Sequence, residues 1–125
     1  MTAVLVAVGG GVGAVLRYWL GSAVQAHSPA GSFPLGTLVV NICGCLAIGV
    51  LAELGERRGL SADGRAFLIV GLLGGFTTFS AFANDSVNAV RAGAVAMGGL
   101  NVAASVLLCL AATWLGRSAT AWMLR

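Results

Sequence analysis

Gly71-Leu72-Leu73-Gly74-Gly75-Phe76-Thr77-Thr78-Phe79-Ser80-Ala81-Phe82 lies inside an apolar window that runs from Ala66 to Val90. At a rise of about 1.5 Å per residue such a window covers about 30 Å or more of hydrocarbon, so it reads as a membrane crossing. Two adjacent glycines followed by hydroxyl residues in mid-span fit a continuous helix poorly. Glycine loosens the backbone there, and threonine oxygens compete for its donors. The stretch predicts a transmembrane helix broken near its middle, with carbonyls freed at the end of one half and N–H groups at the start of the next. The alternative is a kinked but continuous helix whose threonines bond back to their own carbonyls.

Three further windows have the same character: Thr2 to Ala26, Phe33 to Ala52 and Ala92 to Gly116. Four crossings fill a chain of 125 residues and leave no room for a second domain, so the fold class is all-α, a single four-helix transmembrane unit. Apolar residues make up 58% of the chain and charged residues 9%, and the charges fall between the apolar runs. That distribution excludes a water-soluble domain. The basic residues are all arginines, with no aromatics interleaved, which argues against nucleic acid as a partner. The first charge, Arg17, follows the first apolar run rather than preceding it, unlike a cleaved signal peptide, so the first segment is expected to stay in the mature protein.

The first connector holds His27, Ser28, Pro29, Gly31, Ser32 and Pro34, all turn formers or polar, and the second runs from Glu53 to Arg65 and carries most of the charge. Arg57, Arg58, Arg65, Arg117 and Arg125 fall on one side of the membrane, against Arg91 and Arg17 on the other. Positive loops remain cytoplasmic, so both termini are expected in the cytoplasm.

Val4 to Val8 followed by Gly9, Gly11 and Ala14 has the outline of a dinucleotide-binding turn. The acidic residue expected about 20 positions on is absent from Ala30 to Gly36, and the glycines are better read as contacts with a neighbouring backbone. Cys43 and Cys45 point to different sides of one helix and Cys109 lies in another window, so the spacing supports neither a metal site nor a disulfide framework. No nucleophile with a base and no carboxylate pair suggests an enzyme. A proton-coupled drug transporter would need a carboxylate in mid-membrane, whereas Glu53, Glu56, Asp63 and Asp85 sit at loops or toward helix ends.

Polar residues inside the windows are the remaining candidates for chemistry. Thr37 and Asn41 are one turn apart on the second helix and share a face. Asn41 either bonds a neighbouring helix or aims an amide donor into a polar path. Thr78 and Ser80 add hydroxyls at the expected break. On the fourth helix Asn101, Ser105, Cys109 and Thr113 recur every four residues, which makes either a stripe of donors that replaces hydration water piecewise or a seam of helix–helix hydrogen bonds. Phe79 and Phe82, three apart, share a face, and the positive edge of an aromatic ring can stabilise a dehydrated anion without holding it tightly. Arg17 and Asp85 are expected at helix ends on the same side of the membrane, where they could pair at a vestibule and concentrate anions.

Gly9-Gly10-Gly11-Val12-Gly13-Ala14-Val15-Leu16-Arg17-Tyr18 and Gly36-Thr37-Leu38-Val39-Val40-Asn41-Ile42-Cys43-Gly44 resemble the first- and second-helix motifs of the Fluc/CrcB fluoride channels, and Gly74 to Phe82 is similar to the family's most distinctive segment. The resemblance covers nearly the whole chain. It implies passive fluoride export through an antiparallel, dual-topology dimer in the cell membrane. It implies a structural sodium ion held by the backbone carbonyls of Gly74 and Thr77. It also implies a pathway lined by Asn41 and the polar stripe, with ring edges from Phe79 and Phe82. Three positions depart from the family pattern: Ala81 stands for threonine, Asp85 for glutamate, and Cys109 for a small or hydroxyl residue. The arginine bias suggests a subunit that inserts one way and works with an oppositely oriented paralogue, while the full set of pore residues suits a homodimer.

Overall fold

The structure, a computed structural model, describes residues 1–28 and 33–125, so Pro29, Gly31 and Ser32 of the first connector lie outside the described residues. Every regular element among them is helical: α1 (Thr2–Ala26), α2 (Leu35–Arg58), α3 (Ala62–Gly64), a π-helical segment (Arg65–Leu73), α4 (Gly74–Phe76), α5 (Phe79–Arg91) and α6 (Val95–Met123). Four spans are long and apolar enough to cross a membrane, the third being Ala62–Arg91 with all of its segments. The arrangement is polar inside and apolar outside. Asn101, Ser86, Ser105 and Thr120 are buried, while Val8, Trp19, Leu107 and Trp114 project outward, as lipid solvation requires.

Small residues let the helices touch backbone to backbone, which replaces the hydrophobic drive that lipid cannot supply. A Cβ on Gly9 would stand 2.5 Å from the Phe67 carbonyl, and one on Gly71 would stand 2.9 Å from the Val6 carbonyl. Gly13 meets the Leu72 carbonyl and Gly75 the Gly10 carbonyl at similarly close range. The dinucleotide-like motif is thus a helix seam at Gly9, although Gly11 faces open space.

Two elements outrun their apolar windows. Residues Glu53 to Arg58, assigned to a connector by hydropathy, continue α2 until Gly59 (φ 78°) ends it, and α6 runs past Gly116 to Met123. Hydropathy senses the hydrocarbon thickness, whereas the helix persists wherever its side chains find partners. Arg57 Nε donates to Glu53 Oε1 at 2.6 Å, and Arg117 reaches Glu56 at 2.5 Å and Glu53 at 3.3 Å, tying α2 to α6 at this end. Gly93 (φ 82°) turns the chain from α5 into α6. Arg17 does not end the first helix, nor Asp85 the third: α1 continues to Ala26 and α5 to Arg91.

Candidate functional site

The third span breaks midway, at Thr77 and Thr78, both of which are extended (φ −84°, ψ 155° and φ −150°, ψ 113°). Gly74 and Gly75 stay helical, so Gly75 serves packing against Gly10 while the hydroxyl pair makes the break. Each threonine stabilises one side of it. Thr77 Oγ1 donates back to the Leu73 carbonyl at 3.0 Å, closing the first half, and Thr78 Oγ1 accepts from the Ala81 N–H at 3.2 Å as the N-cap of α5. The back-bonding expected of a kinked helix therefore occurs at Thr77, but beside a true interruption.

Asn41 spans that interruption from α2. Its Nδ2 donates to the Thr78 carbonyl at 3.1 Å, and its Oδ1 accepts from the Thr78 N–H at 2.9 Å. Both backbone groups of a residue torn out of the helix are satisfied by one amide, which leaves Asn41 one further N–H. Thr78 N–H turns to Asn41 and Ala81 N–H to Thr78 Oγ1, so the carbonyls of Gly74 and Thr77 lose the N–H four residues on that would bond them in a continuous helix. Gly74 is exposed.

Two clefts meet at the break. The larger, about 790 Å³, opens among the end of α1, the start of α2 and α5 and contains Arg17, Thr37, Thr78, Ser80, Ala81 and Asp85. The second, about 500 Å³, runs between α2, the π segment, α5 and α6 and contains Asn41, Gly74, Thr77, Thr78, Phe79 and Phe82, with Ser105 and Cys109 on its α6 wall. Thr78 lines both. The rings of Phe79 and Phe82 lie 5.2 Å apart at 56°, but Phe79 is 78% exposed and Phe82 only 8%, so one ring projects from the chain while the other packs beneath it.

Other expected residues are placed differently. Arg17 and Asp85 share the larger cleft without an ion pair, and the Asp85 carboxylate accepts from Thr37 Oγ1 at 2.9 Å. The ion pairs among the described residues all join Glu53 or Glu56 to Arg57 or Arg117 at the opposite end. Asn101 lines neither cleft. It is 2% exposed and donates to Ser86 Oγ at 2.9 Å, and Ser86 in turn donates to the Phe82 carbonyl at 2.8 Å. Thr113 bonds back to the Cys109 carbonyl at 3.1 Å. Of the α6 stripe, Asn101 therefore bonds a neighbouring helix, Ser105 and Cys109 face the groove, and Thr113 turns back on its own helix.

Sequence reasoning missed Ser86 and Gln25. Gln25 Nε2 donates to the Phe33 carbonyl at 3.1 Å and its Oε1 accepts from the Gly36 N–H at 3.0 Å, fixing the wall of the larger cleft. Its signal was available, since it is the only glutamine in the chain and lies in an apolar helix. Ser86 carried no such mark.

Residues 4–117 match the family described as "CrcB-like protein, Camphor Resistance (CrcB)". A protein of Rhizobium etli named "Fluoride-specific ion channel FluC" is 51% identical over 116 residues, 91% of each chain. Proteins of the same name from Paramagnetospirillum magneticum and Solibacter usitatus are each 46% identical, over 95% and 93% of this chain and 94% and 95% of their own. With its four apolar spans and its broken third helix, this chain belongs to the CrcB family.

Proposed function

We propose that this chain is one subunit of a fluoride channel that lets the anion leave the cell passively, across the membrane its four spans occupy. The observation that carries the reading is Thr78, the residue common to an arginine-bearing cleft and an apolar groove, held at a break that frees backbone groups in mid-span. The names of the relatives point the same way.

In this reading Arg17 raises the local anion concentration in the vestibule, with Thr37, Ser80 and Asp85 on its walls. The ion then sheds water past Thr78 into the groove, where Asn41 and Ser105 offer neutral donors and Phe79 and Phe82 offer ring edges. Weak, successive contacts suit conduction better than a bound positive charge, which would hold the anion. The placement of Asn101 supports a positioning role for it, through Ser86 and Phe82, rather than contact with the ion.

A sodium ion fits the carbonyls of Gly74 and Thr77, whose helical N–H donors are turned elsewhere at the break and which are the hard oxygen donors such a cation takes. It would supply structural charge at the break. A second subunit laid antiparallel over the exposed Phe79 and Gly74, either a copy of this chain or an oppositely inserted paralogue, would cover the break and the ring that this chain leaves open.

The test is fluoride efflux from liposomes reconstituted with the chain, with an inverted paralogue where one is needed for assembly. The parent should empty the vesicles, and Phe79→Ile, assembled to the same extent, should leave them loaded. Vesicles that keep their fluoride despite assembled parent protein would overturn the reading.

A further inference from the structure

Cys45 and Cys109 lie on different helices and far apart in sequence, yet the packing of α2 on α6 brings them together. The two helices run parallel, and one sequence offset relates their facing residues. Gly49 sits against Thr113, and one turn further on Glu53 meets Arg117. One turn back, the same offset pairs Cys45 with Cys109. Both thiols are free, both are partly exposed, both line the intramembrane groove, and each lies within reach of the other.

We propose that this pair is a binding site for a soft, two-coordinate divalent cation of the Hg(II) class. Thiolate sulfur is the soft ligand such a cation prefers. Each thiol gives up its proton, two S–Hg bonds form, and two protons leave, with no change in oxidation state. The product is neutral, as an apolar groove demands, whereas a monovalent cation held by the same two thiolates would leave a net negative charge in mid-membrane. Four-coordinate zinc is disfavoured for a different reason. No group of three or more His, Cys, Asp and Glu side chains converges among the described residues. Phe82 and Ser105 line the same groove, so the bound metal occupies the space assigned above to the ion.

The third thiol, Cys43, is exposed and is removed in the test. Reconstituted Cys43→Ser protein should hold one Hg(II) per chain against excess monothiol, and adding Cys45→Ser or Cys109→Ser should weaken retention by about 100-fold or more, because the second sulfur acts at high effective concentration. Equal retention by either double variant, or none by Cys43→Ser, would overturn the proposal. In the parent chain a maleimide count gives an answer independent of any substitution: one bound metal should protect two thiols, and protection of only one would sink the site. Both readouts measure metal rather than fluoride, so failure here is distinct from failure of the channel reading.

Discussion

One side-chain amide, that of Asn41, holds both backbone polar groups of Thr78, donating to its carbonyl at 3.1 Å and accepting from its N–H at 2.9 Å. The arrangement mimics a strand pairing one residue long. It explains how extended backbone persists in mid-span, where lipid offers no replacement for a lost helical bond. Any pore role for Asn41 is carried by the N–H left over after this clamp has formed.

Asn41→Ala should therefore act on the fold before it acts on conduction. It strands the Thr78 N–H and carbonyl, each at a cost of about 1–3 kcal/mol. Thermal unfolding in detergent should drop by several degrees, with fluoride efflux lost in parallel. An unchanged melting temperature would show that the clamp is dispensable.

How much of this was legible in the sequence depends on what each signal measures. Apolar run lengths located all four spans, because the hydrocarbon thickness imposes them directly. The broken third helix was legible from the Gly-Gly and Thr-Thr pairs, but the sequence does not say which pair interrupts it: Gly75 is claimed by the close approach of Gly10, and only the neighbour reveals that. Periodicity grouped Asn101 with Ser105 and Cys109 on one face, yet a face does not say which helix covers it. The start of the stripe meets Ser86 of α5, and the remainder opens on the groove. The Arg17–Asp85 pair is likewise absent among the described residues, where the carboxylate's partner is Thr37.

Gly44 sets the position of the break from the side. A Cβ there would overlap the Thr77 Cγ2 methyl and stand 3.3 Å from the Phe76 ring. Gly44→Ala should destabilise the fold by about 1–3 kcal/mol, the usual cost of overpacking. Thr77→Ser removes the obstructing methyl and keeps the hydroxyl that bonds to Leu73, so the double variant should recover much of the loss. Assembled yield by size-exclusion chromatography reads both, and a double variant no better than Gly44→Ala would refute this account.

Arg17 forms no ion pair among the described residues, so its charge is available to the larger cleft. Steering by such a charge weakens as salt shortens the Debye length from about 30 Å at 0.01 M to about 8 Å at 0.15 M. Fluoride flux through Arg17→Gln should fall most at low ionic strength and converge on the parent at high. A constant ratio at every salt concentration would mean that Arg17 does something other than attract anions.

Orientation is the last property the charges bear on. Arg57, Arg58, Arg65, Arg117 and Arg125 fall toward one end of the bundle, against Arg17 and Arg91 toward the other. Arg117 and Arg57 are paired with Glu53 and Glu56, but insertion responds to arginine and lysine far more than to the acids beside them. The chain should accordingly insert with both termini cytoplasmic, and a C-terminal tag should be reachable from that face alone. Replacing Arg58, Arg65 and Arg125 by glutamine nearly levels the bias, so this variant should insert both ways and expose its tag on both faces. A parent already distributed between the two faces would show that one sequence supplies both halves of an antiparallel pair, and no oppositely oriented paralogue would be needed.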